Sequence, residues 1–331
     1  MDASALHTPV MLERTLELLA PAIEGAAAAG RTPVVVDGTL GMGGHTEALL
    51  AAHPTLVVAG IDRDPDAIRL AGARLARFGD RFRPVRATYD RIDLAVEAAG
   101  AAAADGILLD LGVSSLQLDA ADRGFAYAKD APLDMRMGQD GDVTAATILA
   151  ERSARELARL FREYGDEKLA DRYARAIVAA REEAPIDTSK RLVDILQAAT
   201  PRALSNQGHP AKRVFQALRI EVNQELAILE RTMPAAIGAL AQDGRLVVLA
   251  YQSLEDRIVK RALQAASSST APLDLPAELP EHAPQLRLLV KGAELADEAE
   301  RAANPRSAPV RLRAAQRIRP ASLAPTTGEP S

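Results

Sequence analysis

Short apolar runs alternate with helical patterns along the first third of the chain. Four of the runs are almost continuously apolar, at 34–36, 56–61, 82–85 and 106–109. The stretches between them carry apolar residues at helical spacing, and Thr8 followed by Pro9 predicts the start of a first helix. Strands that are apolar throughout and separated by helices are typical of a parallel, doubly wound sheet that is buried on both faces. We therefore predict an α/β fold.

The pattern changes after Gln117. Residues 119–213 carry several helical patterns and no convincing buried strand, which predicts a helical inserted domain. Strand character returns at 245–250, and the runs 286–290 and 310–318 predict an antiparallel pair at the edge of the sheet. The predicted organisation has four segments, with the sheet domain at 1–118 and 214–319, the insertion at 119–213 and a disordered tail at 320–331.

The segment DGTLGMGGH, from Asp37 to His45, joins the first predicted strand to a helix. Its glycines, Gly41, Gly43 and Gly44, let backbone N–H groups approach a ligand where a side chain would clash. A tight strand-to-helix turn without a ligand would carry the same glycines. Asp37 favours a positively charged ligand, because a carboxylate beside the turn attracts a cation and repels an anionic pyrophosphate. S-adenosylmethionine, a sulfonium with an amino-acid tail, satisfies this pattern.

Acidic residues follow three of the predicted strands, namely Asp37, Asp62 and Asp110. Ligands of a doubly wound sheet bind at the carboxyl ends of its strands, so these side chains are expected around one pocket. Asp62 stands where a carboxylate accepts both ribose hydroxyls of an adenosine. Tyr89 follows the third strand and is a candidate to stack on the adenine, although a tyrosine packs equally well in a core. A single strand-end acid is often only a helix cap, which is the role predicted for Asp64, at the start of a helix that ends at Gly79.

The residues from Asp110 to Ser115 lie where methyltransferases acting on amino groups place acceptors for the substrate. The exocyclic amine of cytosine or adenine is planar because its lone pair is delocalised into the ring. Acceptors that hold its two hydrogens favour the pyramidal form, which attacks the sulfonium methyl in line. Asp110, Ser114 and Ser115 are the candidate acceptors, and Asn223 is a further catalytic candidate on a helix. A plain turn after a strand and a solvated helix face would carry the same residues.

Composition narrows the chemistry and the partners. The chain has no cysteine, its five histidines form no HExxH-like pair, and no metal site is predicted. No run reaches the ~18 apolar residues of a membrane span and the N-terminus lacks the basic region of a signal peptide, so the cytoplasm is the expected location.

A net charge of −5 argues against a general nucleic-acid binder, whereas two basic clusters suit one structured polyanion. The clusters contain Arg301, Arg306, Arg311, Arg313, Arg317 and Arg319, and Arg202, His209, Lys212, Arg213 and Arg219.

Ordered sequence blocks cover nearly the whole chain. They are HTPVMLERTLELL from His7, DGTLGMGGHT from Asp37, GIDRDPDAI from Gly60, ILLDLGVSSLQLD from Ile107, RGFAY and APLDMRM between Arg123 and Met137, HPAKRVFQALRIEVNQEL from His209, SLEDRIVK from Ser253 and NPRS from Asn304. Together they closely resemble the bacterial small-subunit ribosomal RNA cytosine-N4-methyltransferases, which modify a decoding-site cytidine.

This resemblance implies a Rossmann-like, class I S-adenosylmethionine-dependent methyltransferase domain that is interrupted by a helical domain for substrate recognition. It implies methyl transfer to the N4 amine of that cytidine, with the small ribosomal subunit or its rRNA as the partner. The cofactor contacts that carry over from the family are Gly43, Gly44, His45, Asp62, Tyr89, Asp110 and Gln117.

Three places depart from the family's usual pattern. Tyr89 replaces a phenylalanine, which should preserve stacking, and Ala308–Pro309 replaces a more polar or basic continuation. Tyr251–Gln252 replaces Phe-His, so a proton-handling histidine is missing there. The next residues have the pattern of a capping box, in which Ser253 caps a helix and Asp256 returns the bond.

Two other classes of protein stay open from the sequence. A nicotinamide oxidoreductase also uses a glycine turn and an acid after its second strand, but Asp37 and the lack of a clean GxGxxG motif argue against it. A ribosome-assembly factor could keep the cofactor fold without catalysis, an alternative that Gln252 favours slightly. The low net basicity favours the assembled subunit over free RNA as the substrate, and a homodimer is left open.

Overall fold

The computed structural model of the chain describes residues 9–113, 123–138, 141–204, 209–272, 279 and 282–320. These residues form two compact units. The sheet unit contains the described residues up to Gly112 and from Ile228 onward, and the helical unit contains those from Val113 to Ala227.

The sheet unit is built on a seven-stranded sheet in the order β3-β2-β1-β4-β5-β7-β6. Its strands are β1 Val34–Asp37, β2 Val57–Asp62, β3 Phe82–Arg86, β4 Ala104–Asp110, β5 Leu240–Ala250, β6 Leu286–Leu288 and β7 Arg311–Arg317. The first five pair in parallel, whereas β7 runs antiparallel to both β5 and β6. The predicted doubly wound α/β sheet with an antiparallel last strand is therefore confirmed.

Helices cover both faces of this sheet. They are α1 Leu12–Ala28, α2 Gly44–Ala52, α3 Pro65–Leu75, α4 Ile92–Ala98, α11 Ser253–Ala266 and α12 Glu298–Ala303, while α10 Glu225–Ala239 spans the division between the units. Strands β1 and β4 are almost entirely buried because apolar clusters lie against both of their faces. Asp37 pairs in register with Gly60 and with Leu108, so the carboxyl ends of β1, β2 and β4 meet at one edge of the sheet.

The helical unit has its own apolar core. Its helices are α5 Ala145–Glu151, α6 Ala154–Gly165, α7 Ala170–Glu183, α8 Ser189–Ala199 and α9 Ala211–Asn223. Helix α6 begins with a reciprocal capping box, in which Ser153 and Glu156 each accept from the other's backbone N–H. Phe161 and Tyr173 are among the largest fully buried side chains.

Three predicted boundaries differ from those in the structure. The first helix begins at Leu12 and not at Pro9, because Met11 takes a left-handed conformation with φ of 49°; Thr8 lies outside the described residues. The helix capped by Asp64 ends at Leu75, and a 3₁₀ segment continues from it. Helix α9 packs on α6, so the helical unit extends beyond the predicted limit at 213.

Candidate functional site

The glycine turn folds back onto the ends of two strands. The N–H of Gly38 donates to the carbonyl of Leu108 at 2.9 Å, and that of Leu40 donates to Ile61 at 2.9 Å. Gly43 has a φ of 77°, which L side chains rarely adopt, and it precedes the first turn of α2. A Cβ on Gly44 would lie 2.6 Å from Cγ of Pro9, so only glycine fits this approach. The turn is therefore held at the carboxyl edge, where the sequence predicts it.

Asp62 is anchored by backbone groups on both of its carboxylate oxygens. Oδ2 accepts from the N–H of Gly41 at 2.9 Å, and Oδ1 accepts from the N–H of Asp64 at 2.9 Å. Burial raises the pKa of Asp62 to about 6, and the two N–H donors oppose that rise. Because each carboxylate oxygen accepts about two hydrogen bonds, each of these retains an acceptor position that suits a hydroxyl donor.

Asp37 has a different set of partners. Its side chain is buried, and its oxygens accept from the N–H of Thr39 at 3.2 Å and from Oγ1 of Thr46 at 2.7 Å. Burial is the main cause that raises its pKa. These bonds hold the start of the turn to helix α2, so the structure gives Asp37 a supporting role; its predicted contact with a cationic ligand stays a prediction.

Asp110 ends strand β4 and is held from two sides. Its backbone N–H donates to Oγ1 of Thr39 at 2.6 Å, and the Tyr251 hydroxyl donates to its Oδ1 at 2.7 Å. Burial raises the pKa of Asp110 to about 6, while the bond from Tyr251 lowers it. The side chain is still 25 % exposed, and its Oδ2 lies 3.8 Å from Nδ1 of His45.

His45 lies in the first turn of α2 and is almost fully buried. Its Nε2 lies 3.2 Å from the carbonyl oxygen of Val10, an acceptor only, so Nε2 carries the ring proton. Burial lowers the pKa of His45, which keeps the ring neutral at neutral pH. The neutral ring therefore presents the unprotonated Nδ1 towards Asp110.

Tyr89 is partly buried after strand β3. Its Cβ lies 3.7 Å from the place where a Cβ on Gly38 would stand, which puts it beside the glycine turn. Its predicted stacking on adenine stays a prediction. Three other predicted site residues, Ser114, Ser115 and Gln117, lie outside the described residues.

Asn223 lies at the end of α9, where it joins parts of the helical unit. Its Oδ1 accepts from the N–H of Met137 at 2.7 Å, and its Nδ2 donates to the carbonyls of Met135 at 2.8 Å and Arg219 at 2.9 Å. The side chain is buried, and these bonds use both of its amide hydrogens. This arrangement is structural, and no observation supports the predicted catalytic role of Asn223, which stays a prediction.

The helix after β5 is capped differently from the prediction. Gln252 is the N-cap, and the Glu255 carboxylate accepts from the N–H groups of Tyr251 at 3.0 Å and Gln252 at 3.1 Å. Asp256 is instead paired with Arg313 at 2.6 Å. The predicted capping box of Ser253 and Asp256 is therefore wrong by one residue, because Glu255 reaches back to two N–H groups at once.

The two basic clusters are only partly available to a polyanion. Arg317 is buried and donates to the backbone carbonyls of Ile237 and Arg319, and Arg313 is held on Asp256. Arg219 forms a largely buried ion pair with Glu225 in the helical unit. The exposed basic residues of the clusters are Arg202, Lys212, Arg213, Arg301, Arg306 and Arg311, of which Arg311 also pairs with Asp256 at 3.1 Å.

The described part of the chain lacks a metal-binding cluster and a membrane-spanning helix. Those residues contain no group of three histidine or acidic side chains placed to hold a metal ion. Within the same residues, every helix is too short or too polar to cross a bilayer.

Comparisons with known proteins identify the family. The model of the MraW methylase family matches residues 4–318. Two proteins called ribosomal RNA small subunit methyltransferase H are 62% identical to the chain, one from Leifsonia xyli, over 95% of each sequence, and one from Clavibacter michiganensis, over 96% of this chain and 99% of the relative. A solved rRNA methylase from Streptococcus thermophilus aligns with 87% of both chains at 10% identity and a TM-score of 0.39, too distant a likeness to bear on function.

These matches confirm the resemblance and the prediction of S-adenosylmethionine as the cofactor. The glycine turn and the strand-end acids lie together at one edge of the sheet. On the match of the family model to residues 4–318, the chain belongs to the MraW methylase family.

Proposed function

We propose that this chain transfers a methyl group from S-adenosylmethionine to the N4 amine of a decoding-site cytidine in small-subunit ribosomal RNA. The observation that carries the proposal is the set of acids at the carboxyl edge, Asp62 and Asp110, with acceptor positions left over beside the glycine turn. The names of the relatives support small-subunit rRNA as the substrate.

The residues around the turn suit this cofactor. Asp62 would accept from the ribose hydroxyls, since both of its oxygens are already fixed in place by backbone N–H groups. Tyr89 would lie against the adenine, and Gly43 and Gly44 would allow the ligand to approach the backbone. Asp110 and His45 would face the positively charged part of the molecule, because both present oxygen or nitrogen lone pairs. Bound there, the cofactor supplies an electrophilic methyl group on sulfur.

The substrate amine needs positioning more than it needs a strong base. Acceptors on its two hydrogens would favour the pyramidal form and aim its lone pair at the methyl carbon that the cofactor would supply, with the sulfur as the leaving group. The methylated amine then carries a positive charge and loses one proton to an acceptor or to water. Asp110 is the described acceptor for this role, with the hydroxyls of Ser114 and Ser115 as further candidates from the sequence.

RNA would be held by the exposed basic side chains. Arg301, Arg306 and Arg311 are exposed in the sheet unit, and Lys212 and Arg213 are exposed in the helical unit. The target base has to be splayed out of its stack, since its amine is otherwise engaged by pairing or stacking. We propose the helical unit as the part that recognises the RNA, and the cytoplasm as the site of action because ribosomal subunits are found there.

Methyl transfer to small subunits from cells that lack this modification tests the proposal. Labelled S-adenosylmethionine is the donor, naked rRNA is compared with assembled subunits, and nucleoside mass spectrometry identifies the product. N4-methylated cytidine is the expected product, on assembled subunits in preference to naked rRNA. A methyl group on another base or atom would refute the assignment, and cofactor binding without incorporation would favour a non-catalytic assembly factor.

A further inference from the structure

The N-terminal turn, residues Pro9 to Met11, lies directly on the cofactor residues of α2. Cγ of Pro9 blocks the space where a side chain on Gly44 would stand, and the carbonyl oxygen of Val10 accepts from Nε2 of His45. This short segment is therefore the immediate support of the imidazole that faces Asp110.

One peptide group connects His45 to a distant acid. The carbonyl of the Val10–Met11 peptide accepts from His45, while the N–H of the same peptide donates to Oε1 of Glu300 at 2.5 Å. Glu300 lies on α12, and 289 positions separate it from Met11 in the chain. A negative carboxylate on the N–H side increases the negative charge of the carbonyl oxygen, because hydrogen bonds in a chain polarise one another.

A second contact joins helix α1 to the residues that precede α12. The Arg14 guanidinium donates to both carboxylate oxygens of Glu294, at 2.9 and 3.2 Å. Met11, whose N–H makes the first contact, has a φ of 49°, a conformation that is uncommon for a side chain without a polar group. A strained residue persists where its surroundings hold it in place, and here Glu300 supplies the hydrogen bond at that residue.

We infer that Glu300 is a positioning residue for His45, acting through the Val10–Met11 peptide to fix the ring orientation and the Nε2–H tautomer. The inference rests on the proposed function only in taking His45 as part of the cofactor site. Glu300 makes Val10 a stronger acceptor, and that acceptor holds the proton on Nε2. The unprotonated Nδ1 is thereby kept facing Oδ2 of Asp110, so the two acceptors are prepared together for a ligand that brings a donor or a positive charge.

Three variants separate this role from a general effect on folding. Glu300→Ala removes the acceptor, Glu300→Gln keeps an oxygen on the Met11 N–H, and Glu298→Ala changes an exposed acid on the same helix. Nitrogen-15 NMR of the histidine ring reports the tautomer of His45 in the ligand-free protein. Calorimetry with S-adenosylhomocysteine reports the affinity of the site, and neither measurement requires RNA.

We expect Glu300→Ala to shift the His45 ring nitrogens towards a tautomer mixture and to weaken S-adenosylhomocysteine binding about tenfold. Glu300→Gln should recover most of the affinity, and Glu298→Ala should change neither signal. Wild-type ring signals in a folded Glu300→Ala protein would overturn the inference, as would a Glu300→Gln variant as impaired as Glu300→Ala. Failure of wild-type protein to methylate cytidine would refute the proposed function while leaving these NMR and binding results valid.

Discussion

Polar side chains have opposite roles in the two units. In the helical unit, Asn223 uses both amide hydrogens and its oxygen on backbone groups of its own unit. At the carboxyl edge of the sheet, Asp62 and Asp110 have fixed carboxylates with acceptor positions that no described residue fills. Both carboxylates are partly exposed, so their remaining acceptor positions face outward, where a ligand can donate to them.

The difference shows why burial alone is a poor guide to function. Asn223 and Asp62 were both site candidates, and both lie in the interior or at its edge. The amide of Asn223 makes all its hydrogen bonds within the protein, so it joins parts of the helical unit. The carboxylate of Asp62 accepts only one backbone N–H on each oxygen, so it can still accept from a ligand. Variants at the carboxyl edge of the sheet should therefore lose activity or cofactor affinity, whereas variants at Asn223 should lose stability.

The largest effect is expected from Asp110→Ala. It removes the described acceptor at the reacting edge, and kcat/KM for methyl transfer should fall about 10²–10³-fold while the protein stays folded. Initial rates at subunit concentrations well below KM measure the loss. Asp110→Asn retains one oxygen for the Tyr251 hydroxyl. Its kcat/KM should lie between the values of the wild type and of Asp110→Ala. Normal turnover of Asp110→Ala would contradict the site assignment.

Asn223→Ala should cost stability and not chemistry. It leaves the buried N–H of Met137 without its partner and removes two further bonds, so the free energy of unfolding should fall by about 2–4 kcal/mol. Urea unfolding measures this change. Gln216→Ala on the same helix removes a single bond, to the carbonyl of Tyr164, and should cost under about 1 kcal/mol. Loss of turnover in a stable Asn223→Ala protein would instead support a catalytic role.

Asp62→Ala should weaken cofactor binding about 10–100-fold, because charged acceptors contribute more per hydrogen bond than neutral ones. Calorimetry with S-adenosylmethionine measures the dissociation constant. Asp105→Ala is the matched control, since Asp105 is a buried acid near the start of β4 that accepts from the N–H of Val34. That variant should lose stability and keep its affinity. Equal losses of affinity in both variants would mean that Asp62 acts only through folding.

The smallest effect is expected from Tyr251→Phe, and it depends on pH. The pKa of Asp110 is raised to about 6 by burial and lowered by the Tyr251 hydroxyl, so the variant should raise that pKa further. Ionised Asp110 attracts the cationic cofactor, so affinity should rise with pH through the pKa of Asp110, and the midpoint should move upward in the variant. We expect a few-fold weaker binding near pH 6 and little change at pH 8. Tyr173→Phe, which loses a bond to Thr200 in the helical unit, should leave the pH profile unchanged.

The raised pKa of Asp110 also predicts how the stability of the fold depends on pH. The pKa of Asp110 is higher in the folded protein than the usual value of an unfolded aspartate, so the folded state binds this proton more tightly. Its contribution to stability is therefore lost as pH rises from about 4 to about 6, and ionised Asp110 costs the folded state free energy at neutral pH. Unfolding of the Asp110→Asn variant should show a smaller fall in stability across that range.

Much of the site was predictable because it depends on local order. Apolar runs indicate the parallel strands, and the carboxyl ends of such strands share one edge, so Asp62 and Asp110 could be placed together before any contact was known. The glycines and the cap at Asp64 are likewise readable from their neighbours. The positions of Gly43 and Gly44 follow from the same short turn.

Two residues of the site could not be found in this way. Tyr251 bonds to Asp110 across 141 positions, and Glu300 bonds to the Met11 N–H across 289. Tyr251 stood out only as a departure from the family's phenylalanine, and no pattern singled out Glu300. The fully bonded state of Asn223 was also hidden, since its partners at 135 and 137 come from another segment.

The sequence by itself determined the class of fold, and it predicted the edge of the sheet for the ligand and the type of cofactor. These properties follow from periodicity, turn chemistry and charge, which are set by neighbours along the chain. Only the tertiary structure decided which strand-end acids keep an acceptor position, which arginines are exposed and which distant residues lie next to His45. Hydrogen bonds form between groups that packing brings within about 3 Å, and that distance depends on the whole fold.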